Sequence, residues 1–344
     1  MANRLASFPN NRWLKRAVFF VAVAVVMTEL MSEREGDAQQ KLNPLQVRLG
    51  ERLFREQRFT TAKGDLAESC AICHNLDEDP QGTRAFTDFF NRSWVPFRSE
   101  DPRRLGLRNS PTLFDVAQMP LLHHDGEFKS LEELVAGTIS GRNLGWLPGE
   151  EEQAFNQVQS VLLADKGSPK EVSYREQFKT AFNVELDALR RDQIIGLVSK
   201  AVADFMRTLN SKQNSPYDRF ARANGLELSP TVSQLGGKSG NAFARQTLVK
   251  LADLEAKGTL KLTRDFDREA LEGFKIFLRT EGKTSVGNCV ACHRPPLFMD
   301  FSFHNLGLTQ LEYDQFHGEG KFAALAIPNA ANAVRPSTKY REYP

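Results

Sequence analysis

All four cysteines of the 344-residue chain fall in two copies of one pentapeptide. The copies are Cys70-Ala-Ile-Cys73-His74 and Cys289-Val-Ala-Cys292-His293. This pattern is typical of c-type haem attachment, in which the two thiols add to haem vinyl groups and the histidine binds the iron. A zinc knuckle would need a second nearby ligand pair, and a thioredoxin-like pair would follow a β-strand; neither feature accompanies these copies in the sequence. We therefore predict two covalently bound haem c groups, with His74 and His293 as iron ligands.

The first forty residues differ from the rest in having a basic segment followed by an apolar one. Basic residues up to Arg16 precede an apolar run from Ala17 to Met27, and a polar stretch from Ser32 to Glu35 follows. This order is typical of a signal peptide, and the run is short for a membrane-spanning helix. Because no clear Ala-x-Ala site follows, a cleaved signal peptide and an uncleaved N-terminal anchor both stay open. Either one exports the chain, and we expect a periplasmic protein, because haem attachment requires thiols in the compartment where haem meets its attachment machinery.

The remainder of the chain has the composition of a helical globular protein. Hydrophobic residues make up 41% of the sequence and charged residues 26%, and the net charge of +2 gives no indication of nucleic acid or an anionic membrane as a partner. Apolar residues at helical spacing occur at 45–58 and 271–278, each shortly before a haem motif, which indicates an internal duplication. The strongest helical pattern covers Arg191 to Leu209. No run of alternating strand residues occurs, so the predicted fold class is mainly α.

Two further runs lie between the haem motifs. The first is Arg108-Asn109-Ser110-Pro111-Thr112, and the second is Asp125-Gly126 followed by Ser130-Leu131-Glu132-Glu133. Together with the haem motifs, their order resembles that of the bacterial diheme cytochrome c peroxidases and their MauG-type relatives. The resemblance extends from about Leu45 past the second haem motif, where Phe298 to Gly307 is similar to a run of the same superfamily. It implies two cytochrome c-like haem domains, each with one covalently bound haem c.

The resemblance also implies a division of labour along the chain. We expect residues 1–40 to be the signal peptide or anchor with a linker, 41–185 the N-terminal peroxidatic domain and 186–344 the C-terminal electron-transfer domain. The N-terminal haem then reacts with hydrogen peroxide, and the C-terminal haem receives electrons from a small redox protein such as cytochrome c. Residues 226–264 exceed what a minimal member of the family needs, and we interpret them as an insertion. The sequence is compatible with a homodimer.

Glu132 is the candidate acid–base residue, because of its position in the second run. In the family, a distal glutamate takes a proton from the proximal oxygen of bound peroxide and returns it to the leaving oxygen, so that water departs. Glu133 has a structural explanation instead, since Ser130 and Glu133 are spaced as a helix-capping box. The capping geometry does not require Glu132. The nearby His123 and His124 are open to two interpretations, as an iron ligand or as part of a polar wall near the haem.

The sequence departs from the family just after the first haem motif. No histidine occurs between Asn75 and Leu122, where many relatives place a loop histidine that closes the peroxidatic iron. We therefore expect an N-terminal iron that is open in the oxidised protein, as in the MauG-type enzymes.

A second departure follows the second haem motif. The family places the sixth ligand of the electron-transfer haem there, with a Thr-Pro run that contributes to a calcium site, and neither has a recognisable counterpart before Pro344. Two interpretations stay open, a truncated chain or a substitute ligand. The substitute candidates are Met299, His304, Tyr313 and His317. Among them, His304 is the better local candidate, and Met299 is better explained by packing. Asn109 is the one candidate ligand for a calcium ion of the family type.

The leading hypothesis is a diheme peroxidase that reduces hydrogen peroxide to water with electrons from a small redox protein. The alternatives are a MauG-type oxidation of a partner protein and a diheme electron carrier without catalysis. Trp94 and Trp146 are candidates for a tryptophan that assists electron transfer between the haems, although no motif surrounds either one.

Overall fold

The structure is a computed structural model, and it describes residues 42–61, 69–74, 111–123, 126–147, 149–211, 214–226, 240–280, 287–295 and 297–301. Nine α-helices lie within these ranges, in one compact unit that begins at Pro44. They are α1 (Pro44–Phe54), α2 (Cys70–Cys73), α3 (Leu131–Ile139), α4 (Glu151–Ala164), α5 (Tyr174–Phe182), α6 (Arg191–Met206), α7 (Pro216–Ala223), α8 (Gly240–Ala256) and α9 (Arg268–Leu278). The described residues contain isolated β-bridges but no β-strand, and the predicted mainly α class is confirmed. None of the described helices has both the length and the apolar character needed to span a bilayer.

Helices α1 and α6 form the centre of the first hydrophobic core. The buried face of α1 consists of Leu49, Leu53 and Phe54, as the four-residue spacing of its apolar residues predicts. The buried residues of α6 include Ile194, Val198, Val202 and Phe205, and the Phe205 ring lies 5.3 Å from that of Phe54 on α1. Gly50 lies where the two helices approach most closely, since a Cβ atom there would lie 1.9 Å from the carbonyl oxygen of Ala201. The contact therefore depends on a residue without a side chain.

Replacing Gly50 with alanine is expected to destabilise the protein by about 2 kcal/mol, because the added methyl group must push α1 away from α6. The clash is with main-chain atoms, which cannot rotate aside. Gly196→Ala on α6 is the matched control, because nothing lies within 4 Å of its Cβ position. That variant should gain about 0.5–1 kcal/mol from helix propensity alone. Denaturant unfolding measures both changes, and equal shifts in the two variants would contradict the close approach.

A second hydrophobic core is built from α7, α8 and α9 together with the second haem motif. At its centre the rings of Phe220 and Phe266 stack with centroids 4.2 Å apart, and Tyr217 lies 5.1 Å from Phe274. Val290, inside the second Cys-x-x-Cys sequence, is fully buried in this core. Packing therefore fixes the second motif directly onto the helices.

The predicted insertion at 226–264 contributes to the second core. Within it, α8 covers Gly240–Ala256, and its Leu251 is fully buried. Leu226, at the start of the segment, is buried in the same core. Because α8 packs on α9 and on the turn of the second haem motif, the described part of this segment is a core element. Whether the segment is an insertion relative to the family stays a prediction.

The two cores divide later in the chain than the predicted boundary at 185/186. Helix α6, which follows that boundary, is the main partner of α1 in the first core, and Leu209 is the last described residue of that core. The second core begins at Tyr217. The change from the first core to the second therefore lies between Leu209 and Tyr217 in the described chain, and the domain boundary at 185/186 stays a prediction.

A buried carboxylate holds the chain where the first core ends. The N–H of Asp115 donates to the carbonyl of Leu209 at 2.8 Å, and its Oδ1 accepts the Ser211 N–H at 3.2 Å. Asp115 has a φ of 57°, in the left-handed region that aspartate tolerates better than most residues. The residues that follow the Pro111-Thr112 pair are thus tied to the segment that leaves the first core.

A buried charge cluster fastens the start of α5 to the end of α1. The ring of Tyr174 is fully buried, its hydroxyl donates to Glu56 at 2.8 Å, and the Arg52 guanidinium lies 3.8 Å from the ring centroid. Asp165 accepts the Tyr174 N–H at 3.1 Å and also binds Arg52 and Arg58. Burial raises the pKa of both carboxyl groups, but these hydrogen bonds and charges outweigh it and lower the pKa of Asp165 and of Glu56 below their ordinary values.

This cluster predicts a stability that falls at acid pH. Because the folded-state pKa values are depressed, the stabilisation is complete above the unfolded values of about 3.9–4.3 and is lost as the pH falls through the lower folded values. Asp165→Asn is expected to cost about 2–3 kcal/mol at neutral pH and to flatten that decline. Thermal unfolding between pH 3 and pH 7 (roughly the range of carboxyl titration) measures how the stability depends on pH. Asp253→Asn, in an exposed pair with Lys257, is the control and should keep the wild-type slope.

Candidate active site

The first haem motif lies against the helices of the first core. The N–H of His74 donates to the carbonyl of Cys70 at 2.8 Å, which keeps the motif on the single turn of α2. The His74 ring centroid is 6.5 Å from that of Phe54, and Phe54 is 5.3 Å from Phe205. Because Phe54 belongs to α1 and Phe205 to α6, the same two helices that form the core position the candidate iron ligand.

The second motif has a similar local geometry. It begins as a 3₁₀ turn over Cys289–Ala291, and the N–H of His293 donates to the carbonyl of Cys289 at 2.9 Å. The Nδ1 atom of His293 lies 2.9 Å from the carbonyl oxygen of Phe298. A carbonyl only accepts hydrogen bonds, so Nδ1 carries the proton and the Nε2 lone pair is available to a metal. An axial ligand of haem iron needs this tautomer.

Both motifs fit covalent haem attachment on the residues present. All four cysteines are free of disulfide bonds, so every thiol is available for a thioether link. Each histidine directly follows its second cysteine on the same turn. In the described ranges, no group of three or more His, Cys, Asp or Glu side chains is arranged to hold a metal ion.

Glu132 lies in the first turn of α3, next to the residues that cap that helix. The Ser130 hydroxyl accepts the N–H of Glu133 at 3.2 Å, as predicted. In a full capping box, the Glu133 carboxylate would accept the N–H of Ser130. Here it accepts the N–H of Lys129, the preceding residue, at 3.1 Å. Glu133 therefore has a structural role, although its partner differs from the predicted one.

The carboxylate of Glu132 is held by Arg207 in a bidentate ion pair. Arg207 Nη1 donates to Oε1 at 2.8 Å, and Nη2 donates to Oε2 at 3.1 Å. Burial raises the pKa of Glu132, but the hydrogen bonds from Arg207 and the charges of Arg207 and Lys200 outweigh it, and the pKa lies below its ordinary value. Glu132 is therefore ionised at neutral pH, as a proton acceptor must be.

The partners of Glu132 cannot be read from the sequence pattern. Arg207 follows the last turn of α6, and its pairing with Glu132 spans 75 positions of the chain. Nothing in the sequence around Arg207 indicates that it pairs with Glu132. Asp204 gives an indirect indication of these partners. It lies inside the most apolar helix pattern, and a buried acidic residue there needs a compensating positive charge.

The structure describes three other residues that the sequence singled out as candidates: His123, Trp146 and Met299. His123 has a φ of 73° in a loop closed by the bridge between Leu122 and Phe128, and its Nδ1 lies 3.3 Å from a Glu127 carboxylate oxygen. Trp146 Nε1 donates to the carbonyl of Phe59 at 3.1 Å, and the N–H of Met299 donates to the carbonyl of Arg294 at 3.2 Å. Asn109, Trp94, His124, His304, Tyr313 and His317 lie outside the described residues. The calcium site and the sixth ligand therefore stay predictions.

Comparison with known proteins identifies the class. Residues 44–225 match the family of di-haem cytochrome c peroxidases, and the chain belongs to this family. It is 26% identical over 298 residues to the cytochrome-c peroxidase IdrP2 of Denitromonas iodatirespirans, covering 85% of this chain and 59% of that protein. It is 28% identical over 302 residues to the methylamine utilization protein MauG of Methylorubrum extorquens, covering 87% of this chain and 61% of that protein.

The chain thus spans about three fifths of the length of these curated relatives. Among solved structures, it is similar to the diheme peroxidase BthA from Burkholderia thailandensis, with a TM-score of 0.42 and 16% identity over 76% of this chain and 54% of that one. The family resemblance drawn from the sequence motifs is confirmed.

Proposed function

We propose that this chain is an exported, periplasmic diheme peroxidase that reduces hydrogen peroxide to water with electrons from a small redox protein such as cytochrome c. The observation that carries the proposal is the pair of Cys-x-x-Cys-His turns with free thiols, in a chain of the di-haem peroxidase family. The relative IdrP2, named a cytochrome-c peroxidase, supports the same activity.

The residues of the two motifs have distinct tasks in this proposal. Cys70 and Cys73 would hold the N-terminal haem, with His74 as the ligand of its iron, and Cys289, Cys292 and His293 would do the same for the C-terminal haem. When bound, the haems would supply the redox chemistry of peroxide reduction. Because His74 packs on Phe54, helix α1 fixes the orientation of the imidazole.

Glu132 manages the protons of the reaction. It is ionised at neutral pH, so it can accept the first proton of hydrogen peroxide and return it to the departing oxygen. The bidentate pair with Arg207 uses one lone pair on each carboxylate oxygen, and the remaining lone pairs can accept a proton.

A turnover assay on the complete, haem-loaded chain tests the proposal. Expressed with a haem-attachment system in the periplasm, the protein should carry the added mass of two haem groups. It should then oxidise reduced cytochrome c only when peroxide is present. A mass without added haem, or no reaction with peroxide, would contradict the proposal, and the second result would leave a diheme electron carrier.

A MauG-type oxidation of a partner protein is the second candidate function. It is supported by the 28% identity to MauG and by the absence of histidine between Asn75 and Leu122 in the sequence. Both candidates expect an N-terminal iron that is open in the oxidised protein, and a low-spin bis-histidine spectrum for that haem would contradict this part. Peroxide-dependent modification of a partner, with negligible oxidation of cytochrome c, would favour the MauG-type reaction.

A further inference from the structure

The carboxylate of Glu132 lies at one end of a row of charged side chains along α6. Arg207 binds both oxygens of Glu132, and its Nη1 also donates to Oδ1 of Asp204 at 3.1 Å. Asp204 in turn binds Lys200, whose Nζ lies 3.0 Å from Oδ2. The charges therefore alternate in sign from Glu132 through Arg207 and Asp204 to Lys200.

The buried member of this row is Asp204. Its side chain is only 3% exposed, whereas that of Arg207 is 25% exposed and that of Glu132 is 36% exposed. An ion pair on an open surface leaves both side chains free to rotate and contributes little. A buried carboxylate, by contrast, must keep its partners, because leaving it unpaired is costly. Asp204 therefore fixes the Arg207 guanidinium, and the planar guanidinium then fixes the plane of the Glu132 carboxylate.

We propose that Arg207 is a positioning residue that holds Glu132 in one orientation as an ionised carboxylate, and that Asp204 anchors Arg207 for this task. The inference rests on the proposed function, in which Glu132 transfers the protons of peroxide. Arg207 acts only through Glu132. The charged groups that act on this carboxylate in the described chain are Arg207, directly after α6, and Lys200 on α6, with Asp204 bound to both of them.

The pH dependence of peroxide turnover tests the inference. Removing the guanidinium in Arg207→Gln takes away the bonds and the charge that lower the pKa of Glu132, so this pKa should rise. A base must be deprotonated, so the acid limb of kcat/KM for peroxide should move to higher pH by about one unit. Arg207→Lys keeps the charge but not the two parallel bonds. Its acid limb should stay near that of the wild type, while kcat falls by about tenfold or more.

Two further variants separate positioning from a general loss of structure. In Glu132→Gln/Arg207→Gln, turnover should be no lower than in Glu132→Gln alone, because Arg207 acts through Glu132. Losses that add would overturn the inference. Arg190→Gln is the matched control, since Arg190 forms an exposed pair with Asp192 on the same helix segment and should leave the pH profile unchanged. If Arg207→Gln does not fold, Asp204→Asn carries the test: kcat should fall because Arg207 loses its anchor, and an unchanged kcat in the folded variant would overturn the inference.

The outcomes for the inference and for the proposed function are distinct. A wild-type protein that carries two haems but does not turn over peroxide overturns the proposed function, and the inference with it. Wild-type turnover with an unshifted acid limb in folded Arg207→Gln overturns the inference alone.

Discussion

Replacing His74 with glycine is expected to reduce peroxide turnover by far more than the roughly 10- to 100-fold that the loss of an outer-shell partner of a metal ligand costs. The imidazole of His74 is the proposed iron ligand of the peroxidatic haem, and no other part of its motif can replace it. Cys70 and Cys73 remain in this variant, so the mass of two attached haems should be unchanged. Steady-state turnover with reduced cytochrome c, together with intact-protein mass, measures both results.

Free imidazole provides the control for His74→Gly. If the loss arises from the missing ligand, added imidazole should enter the space left beside Phe54 and restore part of the turnover. A variant that misfolds would show no such recovery. Undiminished turnover in a fully haem-loaded His74→Gly protein would place the iron ligand elsewhere in the chain.

Glu132→Gln is expected to lower peroxide turnover by about 10²–10⁴-fold, the range that a general acid–base group typically contributes. Glutamine keeps the shape of the side chain and one oxygen for Arg207, but it cannot accept the proton of peroxide. Haem content should therefore stay at two per chain and thermal stability should change little. Normal turnover in this variant would refute the assignment of Glu132.

Glu133→Gln is the matched control for Glu132→Gln. The two glutamates are adjacent on the first turn of α3, but Glu133 binds only the Lys129 amide in the described chain. Its substitution should cost about 0.5–1 kcal/mol as a weakened cap, with turnover close to that of the wild type. A large loss in Glu133→Gln with normal turnover in Glu132→Gln would transfer the proton-accepting role to Glu133.

Local patterns predicted the elements of this protein well. Each haem motif lies in five consecutive residues, so spacing alone predicts His74 and His293 as iron ligands, and the family match supports two haems. The apolar stripes that predict α1, α6 and α9 are buried in the structure because their periods match a helix face. The resemblance added the order of motifs and the position of Glu132, which periodicity could not supply.

The sequence patterns do not predict which elements meet. Helix α6 lies after the predicted domain boundary, yet it packs on α1, because its apolar face fits around Gly50. The segment at 226–264 exceeds what a minimal family member needs, yet residues of its helix α8 are buried in the second core. The partner of Glu132 lies on a helix far away in the sequence. A helix pattern states which face is apolar but not which neighbour covers it, so pairings of this kind need the folded chain.

The bond from His293 to the Phe298 carbonyl has a consequence for a haem iron bound by His293. A neutral amide oxygen draws the ring proton less strongly than a carboxylate does, so the imidazole would donate less negative charge to that iron and would disfavour the oxidised form of the iron. Because the acceptor is a main-chain carbonyl, replacing the side chain of Phe298 leaves this hydrogen bond to the imidazole in place. Only a change in the path of the backbone after Arg294 would alter it.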